Sequence, residues 1–262
     1  MADVLAFGAH PDDLEIGCGG TLALLAKQGR EVVMVDFTRG ELGTRGTVDE
    51  RRTEADAAAK VLGAAARINL DLRDGWLPFS LTLTVTPLSV PPPHGAPIGE
   101  PMRTAATWRE LAVAKVVDLI REHRPRLLLA NFPSDAHPDH VVVGEVVKQA
   151  RYLAGLQKFQ PDRARHRPDL LLHYFEHEQH PPTCVVDISS VIDLKLAAIR
   201  CHRSQLHDPA RAEPQTALSR PDFLERRAAR DRFFGGQAGV DWAEPFFTDG
   251  PPKIADPMSL LP

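Results

Sequence analysis

The chain has 262 residues, of which 43% are hydrophobic and 25% are charged, a composition typical of a protein that folds around a buried core. The formal net charge of −4 and an isoelectric point near 6.3 exclude a nucleic-acid-binding protein that depends on a basic surface. No apolar run approaches the length of a membrane-spanning helix. The length fits one large α/β domain or two small ones, and we expect one domain over residues 1–262.

The N terminus and the cysteines predict the compartment. Met1 leads directly into a strand-like run, without a basic stretch followed by a long apolar one, so we expect no signal peptide. Cys18, Cys184 and Cys201 are odd in number and far apart in sequence, which favours a reduced compartment over a disulfide framework. We therefore expect a cytoplasmic protein.

The first part of the chain alternates between strand-like and helix-like segments. The predicted order is strand 4–8, turn 17–20, helix 21–28, strand 31–37, helix 47–62 and strand 66–70. Thr47, followed three residues later by Glu50, forms the capping-box pattern that begins a helix. Such alternation predicts an α/β fold with a mostly parallel sheet and helices on both faces.

The chain then departs from this pattern before returning to it. Residues 79–103 contain six prolines, which exclude regular structure beyond a strand-like run at 81–86, so we predict a long loop with or without a hairpin arm. The remaining elements are helix 107–122, strand 126–130, helix 138–153, strands 170–175 and 184–188, and helix 191–201. The C-terminal extension, residues 206–262, is rich in charge, proline and glycine, and we expect it to wrap the surface or pack on a neighbouring molecule.

Two motifs at predicted strand ends each combine His-Pro-Asp with one more residue that can bind a metal. The first is Ala9-His10-Pro11-Asp12-Asp13, and the second is His137-Pro138-Asp139-His140. In open α/β sheets ligands bind at the carboxyl ends of the strands, so we expect the two motifs to meet there although they are far apart in sequence. Proline suits the first position of a helix, so each motif also predicts a helix start.

The residue types of the motifs point to metal-dependent hydrolysis of an amide or ester. Histidine nitrogens and carboxylate oxygens bind Zn²⁺, and a catalytic zinc site commonly takes three such ligands and keeps one position open for water. We predict His10, Asp13 and His140 as the ligands, although Fe²⁺ or Mn²⁺ would accept the same set. Asp12 is predicted to take a proton from the water as general base. A charged His137, with its tautomer fixed by Asp139, is predicted to stabilise the oxyanion.

Two other interpretations carry less weight. A dinucleotide-binding fold would use Asp36, after the second strand, to bind a ribose, but it requires G-x-G-x-x-G after the first strand. Here residues 8–13 place two acids where the pyrophosphate would lie. A noncatalytic sugar- or nucleotide-binding protein is the alternative from another class. The intact Asp12 and Asp13 argue against it, and metal analysis of the purified protein discriminates between the two.

The paired motifs resemble those of the PIG-L/LmbE-like family of zinc-dependent N-deacetylases, which act on N-acetylglucosaminyl compounds. The similarity extends from Asp3 to about Gln205. Within that family the chain resembles in particular the deacetylases of bacillithiol biosynthesis, which act on N-acetylglucosaminyl-malate. That likeness rests on Phe7–Asp13, Glu15–Gly17, Gly46–Val48, Arg51, Glu54, Asn69-Leu70, Val186–Ser189 and Ser204-Gln205.

The resemblance implies a Rossmann-like α/β fold and a zinc-dependent N-deacetylase whose substrate is N-acetylglucosaminyl-L-malate. Alternatives within the same chemistry are a thiol-conjugate amidase and a deacetylase of another sugar, such as a chito-oligosaccharide or an inositol glycoside. Residue by residue, it implies metal ligands His10, Asp13 and His140, catalytic residues Asp12, His137 and Asp139, and substrate contacts Arg51, Glu41 and Asp74. Several members of the family are oligomers, some of them hexamers, so we expect a homo-oligomer.

Overall fold

The computed structural model describes residues 2–77, 82–84, 105–160, 162–177, 180–253, 256 and 258. Its strands are β1 (Val4–Gly8), β2 (Val32–Thr38), β3 (Ala66–Leu72), β4 (Thr82–Thr84), β5 (Ala105–Thr107), β6 (Leu127–Asn131), β7 (Leu170–Tyr174), β8 (Cys184–Asp187) and β9 (Ala243–Phe247). Its helices are α1 (Asp13–Lys27), α2 (Val48–Leu62), α3 (Trp108–His123), α4 (Pro138–Ala154), α5 (Ile192–Cys201) and α6 (Phe223–Ala238).

The main sheet has seven strands in the order β3-β2-β1-β6-β7-β9-β8. The strands from β3 to β7 in this order run parallel to one another, whereas β9 runs antiparallel to both β7 and β8. The predicted α/β class with a mostly parallel sheet is therefore confirmed. The chain order changes direction between β1 and β6, and open α/β sheets bind ligands at the carboxyl edge of such a switch point.

Successive residues of the central strands pack against helices on opposite faces of the sheet. On one face, Leu5 and Phe7 of β1 are buried with α3 and α4. On the other face, Val4 and Ala6 are buried with α1, α2 and α5. Because helices cover both faces, β1 is apolar throughout and β2 and β6 are apolar until near their carboxyl ends, which explains why these strands stand out in the sequence as continuous apolar runs.

Helix α1 is broken at Cys18, where φ is −144° and the backbone is not helical. The sequence predicts a turn at residues 17–20, and the structure replaces this turn with a kink inside one helix. Beyond the kink, the Glu244 carboxylate accepts hydrogen bonds from the N–H groups of Gly20 (2.8 Å) and Thr21 (2.7 Å). These donors belong to the start of the second helical segment, so Glu244 caps that segment from a strand distant in sequence.

Gly17 lies where the first segment of α1 meets the buried ring of Tyr174. An added Cβ would overlap this ring, which is anchored by a hydrogen bond from its hydroxyl to the Phe7 carbonyl oxygen (3.0 Å). We therefore expect Gly17→Ala to lower the free energy of unfolding by about 1–3 kcal/mol, measured by urea denaturation. Gly236→Ala, at an open position of α6, is the control and should be neutral or stabilising by up to about 1 kcal/mol. Equal effects of the two substitutions would contradict this packing constraint.

The C-terminal extension is built into the sheet. Its strand β9 lies between β7 and β8, and its helix α6 packs against β9 and β8. The expectation that the extension wraps the surface or packs on a neighbouring molecule is therefore wrong for β9 and α6. Pro245 and the buried Glu244 conceal β9 in the sequence, because strand interiors rarely contain a proline or an unexposed acid.

Within the proline-rich segment, residues 79–103, the structure describes only residues 82–84, and it describes β5 just after the segment. There, β4 and β5 form an antiparallel pair in which Thr82 is opposite Thr107 and Thr84 is opposite Ala105. This agrees with the strand-like run at 81–86, and the rest of the predicted loop at 79–103 lies outside the described residues. Within the part of the chain that the structure describes, no helix has the length and hydropathy that crossing a bilayer requires.

Candidate metal centre and active site

The two His-Pro-Asp motifs lie side by side because β1 and β6 are neighbours in the sheet. Phe7, near the end of β1, pairs with Ala130, near the end of β6, and each motif follows its strand closely in the chain. Helix α1 begins within the first motif at Asp13, and helix α4 begins within the second at Pro138. The strands and the helix starts together hold the motif residues at the carboxyl edge of the sheet.

The three predicted metal ligands, His10, Asp13 and His140, come together at this edge. Asp13 Oδ2 lies 3.3 Å from His140 Nε2, and Asp13 Oδ1 lies 3.6 Å from His10 Nδ1. Burial opposes the charged form of each group, but the attraction between the carboxylate and the two imidazoles outweighs it. The pKa of His10 and that of His140 are therefore raised well above their usual range, and the pKa of Asp13 is lowered well below its own.

Asp13 is oriented by backbone and amide donors. Its Oδ2 accepts hydrogen bonds from the N–H groups of Ala9 (2.8 Å) and His10 (3.1 Å) and from Asn131 Nδ2 (3.2 Å). Asn131 is a site residue that the motifs do not reveal. Its only signal in the sequence is a polar side chain at the end of an apolar strand, β6.

His10 contacts two further carboxylates on its other side. Its Nε2 lies 3.2 Å from Asp74 Oδ1 and 3.5 Å from Asp139 Oδ2. Asp74 is buried, and its Oδ2 accepts a hydrogen bond from the Leu42 N–H (2.9 Å). Burial would raise the pKa of Asp74, but the hydrogen bond to His10 and the charge of that ring lower it to about 2. In the structure, these contacts of Asp74 are with other residues of the protein. Its predicted contact with substrate stays a prediction.

The ring of His137 caps the N terminus of α4. Its Nδ1 accepts a hydrogen bond from the Asp139 N–H (3.2 Å), which assigns the proton of the neutral ring to Nε2. Burial and the neighbouring His10 and His140 rings lower the pKa of His137. This direction disagrees with the charged ring that the sequence predicts. The carboxylate of Asp139 also lies elsewhere than predicted, because its Oδ2 accepts from the Gly75 N–H (2.8 Å) and lies near His10.

Asp12, the predicted general base, has a strained backbone with a φ of 127°. Such a conformation costs on the order of 1–3 kcal/mol in a non-glycine residue and persists only where the surroundings enforce it. The buried Arg51 is one such neighbour: its Nη2 donates to the Pro11 carbonyl oxygen (2.8 Å) and to Asp12 Oδ2 (3.3 Å), and its Nη1 donates to the Gly40 carbonyl oxygen (2.9 Å). These contacts are all internal, so the substrate contact of Arg51 stays a prediction.

Glu41 is exposed and joins the loops that follow β2 and β3. Its Oε1 accepts a hydrogen bond from the Asp74 N–H (2.9 Å), and its Oε2 accepts one from the Arg39 N–H (3.3 Å). Glu41, Arg39 and Arg73 line a cavity of about 280 Å³. Glu41 therefore connects this cavity to Asp74, the residue that contacts His10. The predicted substrate contact of Glu41 remains a prediction.

Three further ionisable residues, Asp135, Glu176 and His177, lie near His140. Asp135 precedes the second motif, and the other two follow β7, which neighbours β6 in the sheet. Glu176 Oε2 is 4.0 Å from His140 Nδ1, and burial together with the charge of Asp13 raises the pKa of Glu176 to about 7. The sequence signal for all three is weak, namely polar residues just beyond the ends of buried strands.

The donor set of this cluster fits a divalent metal ion. Nitrogen atoms of His10, His137 and His140 all lie within 4.8 Å of one another, and so do ligand atoms of Asp13, His140 and Glu176. Imidazole and carboxylate donors are ligands of Zn²⁺, and Fe²⁺ and Mn²⁺ accept them too. The predicted ligands His10, Asp13 and His140 are spread over these two groups, and Asp13 faces each ring with a different oxygen. That these three residues would hold the ion stays a prediction.

Known proteins are similar to this chain in sequence. Residues 5–151, which include both His-Pro-Asp motifs, match the family model described as PIG-L: GlcNAc-PI de-N-acetylase. The chain is 31% identical over 214 residues to a diacetylchitobiose deacetylase of Thermococcus kodakarensis, a match that covers 77% of this chain and 69% of that protein. It is 31% identical over 176 residues to a 1D-myo-inositol 2-acetamido-2-deoxy-alpha-D-glucopyranoside deacetylase of Kineococcus radiotolerans, covering 58% of this chain and 45% of that protein.

Solved structures share the fold over nearly the whole chain. The conserved protein TT1542 from Thermus thermophilus superposes with a TM-score of 0.76 and 32% identity, covering 97% of this chain and 98% of that one. GalB, the 4-carboxy-2-hydroxymuconate hydratase from Pseudomonas putida, superposes with a TM-score of 0.70 and 23% identity, covering 98% and 99%. The likeness to GalB shows the fold alone, and GalB is named for a hydration. The reaction must therefore be argued from the site.

Proposed function

The chain belongs to the PIG-L family of de-N-acetylases, and from this premise we propose that it is a metal-dependent hydrolase that removes the acetyl group from N-acetylglucosaminyl compounds. The observation that carries the proposal is the approach of His10, Asp13 and His140 to one another next to the buried Asp12. These residues combine a set of metal ligands with an acid placed to act as a base, which is what hydrolysis of an amide requires. We propose Zn²⁺ as the metal, with Fe²⁺ and Mn²⁺ as the other candidates.

Each residue then has a role in the reaction. A zinc ion held by His10, Asp13 and His140 would supply a Lewis acid for the acetyl carbonyl and would lower the pKa of a water molecule. Asp12 takes a proton from the attacking water and returns it to the amine nitrogen as the C–N bond breaks. His137 donates its Nε2 proton in a hydrogen bond to the carbonyl oxygen as negative charge develops there. The products are acetate and the free amino sugar.

For the group attached to the sugar we propose malate, as in the N-acetylglucosaminyl-L-malate of bacillithiol biosynthesis. Malate carries two carboxylates, and the cavity near Asp74 is lined by Arg39 and Arg73 together with Glu41 and Asp71. Arginine side chains suit the binding of carboxylates. The Arg39 side chain is 55% exposed and pairs with Asp71, so a substrate carboxylate would compete for it at the surface. The names of the relatives support two other substrates, diacetylchitobiose and an inositol glycoside.

An assay of acetate release on three substrates tests this proposal. The zinc-loaded protein is given N-acetylglucosaminyl-L-malate, diacetylchitobiose and the inositol glycoside, and kcat/KM is compared. We expect one free amine for each acetate released, with the highest kcat/KM for the malate compound. A higher value for either of the others would reject malate as the aglycone. Absence of acetate release from all three would count against deacetylation of this class of compound.

The proposed partners are a small N-acetylated amino sugar and further copies of this chain. The homo-oligomer is proposed from the family resemblance alone. Light scattering of the zinc-loaded protein in solution measures its mass, and the mass of one chain, 28.8 kDa, would reject this part of the proposal.

A further inference from the structure

Asp135 is a buried acid that contacts several histidines of the site and has no role in the reaction described above. It lies two residues before His137, and its side chain is only 2% exposed. Its Oδ1 accepts a hydrogen bond from the His137 N–H (2.8 Å) and lies 3.0 Å from His177 Nδ1. Its Oδ2 accepts a hydrogen bond from the His177 N–H (3.2 Å). Donors from the loops after β6 and β7 therefore fix the position of this carboxylate.

The same carboxylate faces the predicted metal ligand His140. Asp135 Oδ1 lies 3.2 Å from His140 Nδ1, while the other ring nitrogen, Nε2, lies 3.3 Å from Asp13 Oδ2. An imidazole that binds a metal through Nε2 carries its proton on Nδ1 and needs an acceptor there. Glu176 Oε2, at 4.0 Å from Nδ1, is too distant for a hydrogen bond. The buried Nδ1 makes no hydrogen bond in the described part of the structure, and Asp135 Oδ1, at 3.2 Å, is the carboxylate oxygen placed to accept from it.

From this geometry we infer that Asp135 is the positioning residue of His140. It accepts the Nδ1 proton, which keeps the lone pair of Nε2 free for the metal, and it holds the ring so that Nε2 faces Asp13. His177 is the second imidazole on the same carboxylate, with its ring 5.0 Å from the His140 ring and its side chain 34% exposed. His177 therefore holds Asp135 from the solvent side. The inference rests on the proposed function, in which His140 binds the metal.

The zinc dissociation constant of Asp135→Asn tests this inference, measured by competition with a chromophoric chelator. Asparagine keeps the size of the side chain but loses the negative charge that attracts the imidazole proton. Partners of metal-ligating histidines typically contribute 10–100-fold to metal affinity, so we expect the dissociation constant to rise by about 10-fold or more. In Asp135→Ala, which removes both oxygens, we expect a rise towards about 100-fold.

Asp169→Asn is the control that separates orientation of the ring from loss of structure. It changes an aspartate that is 65% exposed and pairs with Arg126 on the surface. It is expected to keep the zinc dissociation constant of the unchanged protein within about twofold, since it lies outside the shell around the ligands. His177→Ala removes a side chain that contacts Asp135 Oδ1, so we expect it to raise the constant by less than Asp135→Ala does. Thermal unfolding of each metal-free variant reports any general loss of stability separately.

The outcomes are distinguishable. An unchanged zinc dissociation constant in Asp135→Asn and Asp135→Ala would overturn the inference and leave the proposed function intact. An equal loss of affinity in His177→Ala would also overturn it, because the integrity of the loop would then explain the effect. If Asp135→Ala does not fold, Asp135→Asn decides. Failure of the unchanged protein to bind zinc would instead reject the proposed function.

Discussion

Replacing Asp12 with asparagine is expected to lower kcat by about 10³-fold while the protein keeps its zinc. A general base contributes roughly 10²–10⁴-fold to a rate, and an amide side chain cannot take the proton of the attacking water. Burial raises the pKa of Asp12, which makes its carboxylate a better proton acceptor than an exposed one. Steady-state release of acetate gives kcat, and elemental analysis gives the zinc content.

Asparagine matches Asp12 in size and shape but lacks its negative charge and its basicity. It has nearly the same volume, it tolerates positive φ as aspartate does, and its carbonyl oxygen can still accept from Arg51. Asp249→Asn, at an aspartate that is 55% exposed, is the control and should keep full kcat. A kcat for Asp12→Asn equal to that of the control would reject the assignment of Asp12 as the general base. Loss of zinc together with kcat would show that Asp12 acts as a ligand.

Lys195→Met is expected to lower the free energy of unfolding by about 3–5 kcal/mol. Lys195 is fully buried, and its Nζ lies 2.5 Å from Asp231 Oδ2 and 2.8 Å from Glu244 Oε1. Methionine keeps most of the volume and the unbranched shape, so the loss comes mainly from two carboxylates left in the interior without their cation. Urea denaturation followed by circular dichroism measures the effect.

An exposed lysine provides the comparison for Lys195. Lys148 also pairs with an aspartate, Asp249, at 2.9 Å, but both side chains are more than half exposed. Water already solvates such a pair, so Lys148→Met should change the free energy of unfolding by no more than about 1 kcal/mol. If Lys195→Met and Lys148→Met lower the free energy of unfolding equally, burial of the Lys195 ion pairs would not explain their contribution to stability.

The buried ion cluster connects the C-terminal extension to the helix that carries the site. Lys195 belongs to α5, Asp231 to α6 and Glu244 to β9. Glu244 also caps the second segment of α1, the helix that begins at Asp13. The extension therefore contacts α1 beyond its kink, and truncation before β9 would remove Glu244 from both Lys195 and that cap while leaving Asp231 beside Lys195.

The sequence predicts best those elements whose apolar pattern and capping residues match the way the element packs in the fold. Strand β1 has the predicted bounds, because it is apolar on both faces. Helix α2 has the predicted capping box of Thr47 and Glu50 and ends at the predicted residue, Leu62, just before a left-handed Gly63. The meeting of the two motifs could also be anticipated, since the carboxyl ends of parallel strands lie at one edge of a sheet.

What the sequence does not reveal depends on contacts between distant residues. Helix α6 has the composition of a solvated segment, and only its partners show that Arg230 and Asp231 are buried in the fold. The orientation of Asp139 depends on the Gly75 N–H, a backbone group that no motif marks. The role inferred for Asp135 likewise depends on which nitrogen of His140 faces it. Such contacts are set by tertiary structure, which residue types and spacing leave undetermined.

The most direct test of the metal site is anomalous diffraction at the zinc edge from crystals of the zinc-loaded protein. We expect one strong peak at about 2.0–2.3 Å from a nitrogen of His10, a carboxylate oxygen of Asp13 and a nitrogen of His140. A zinc peak bound by other residues, with His10, Asp13 and His140 left without metal, would contradict the site on which the proposed deacetylase depends.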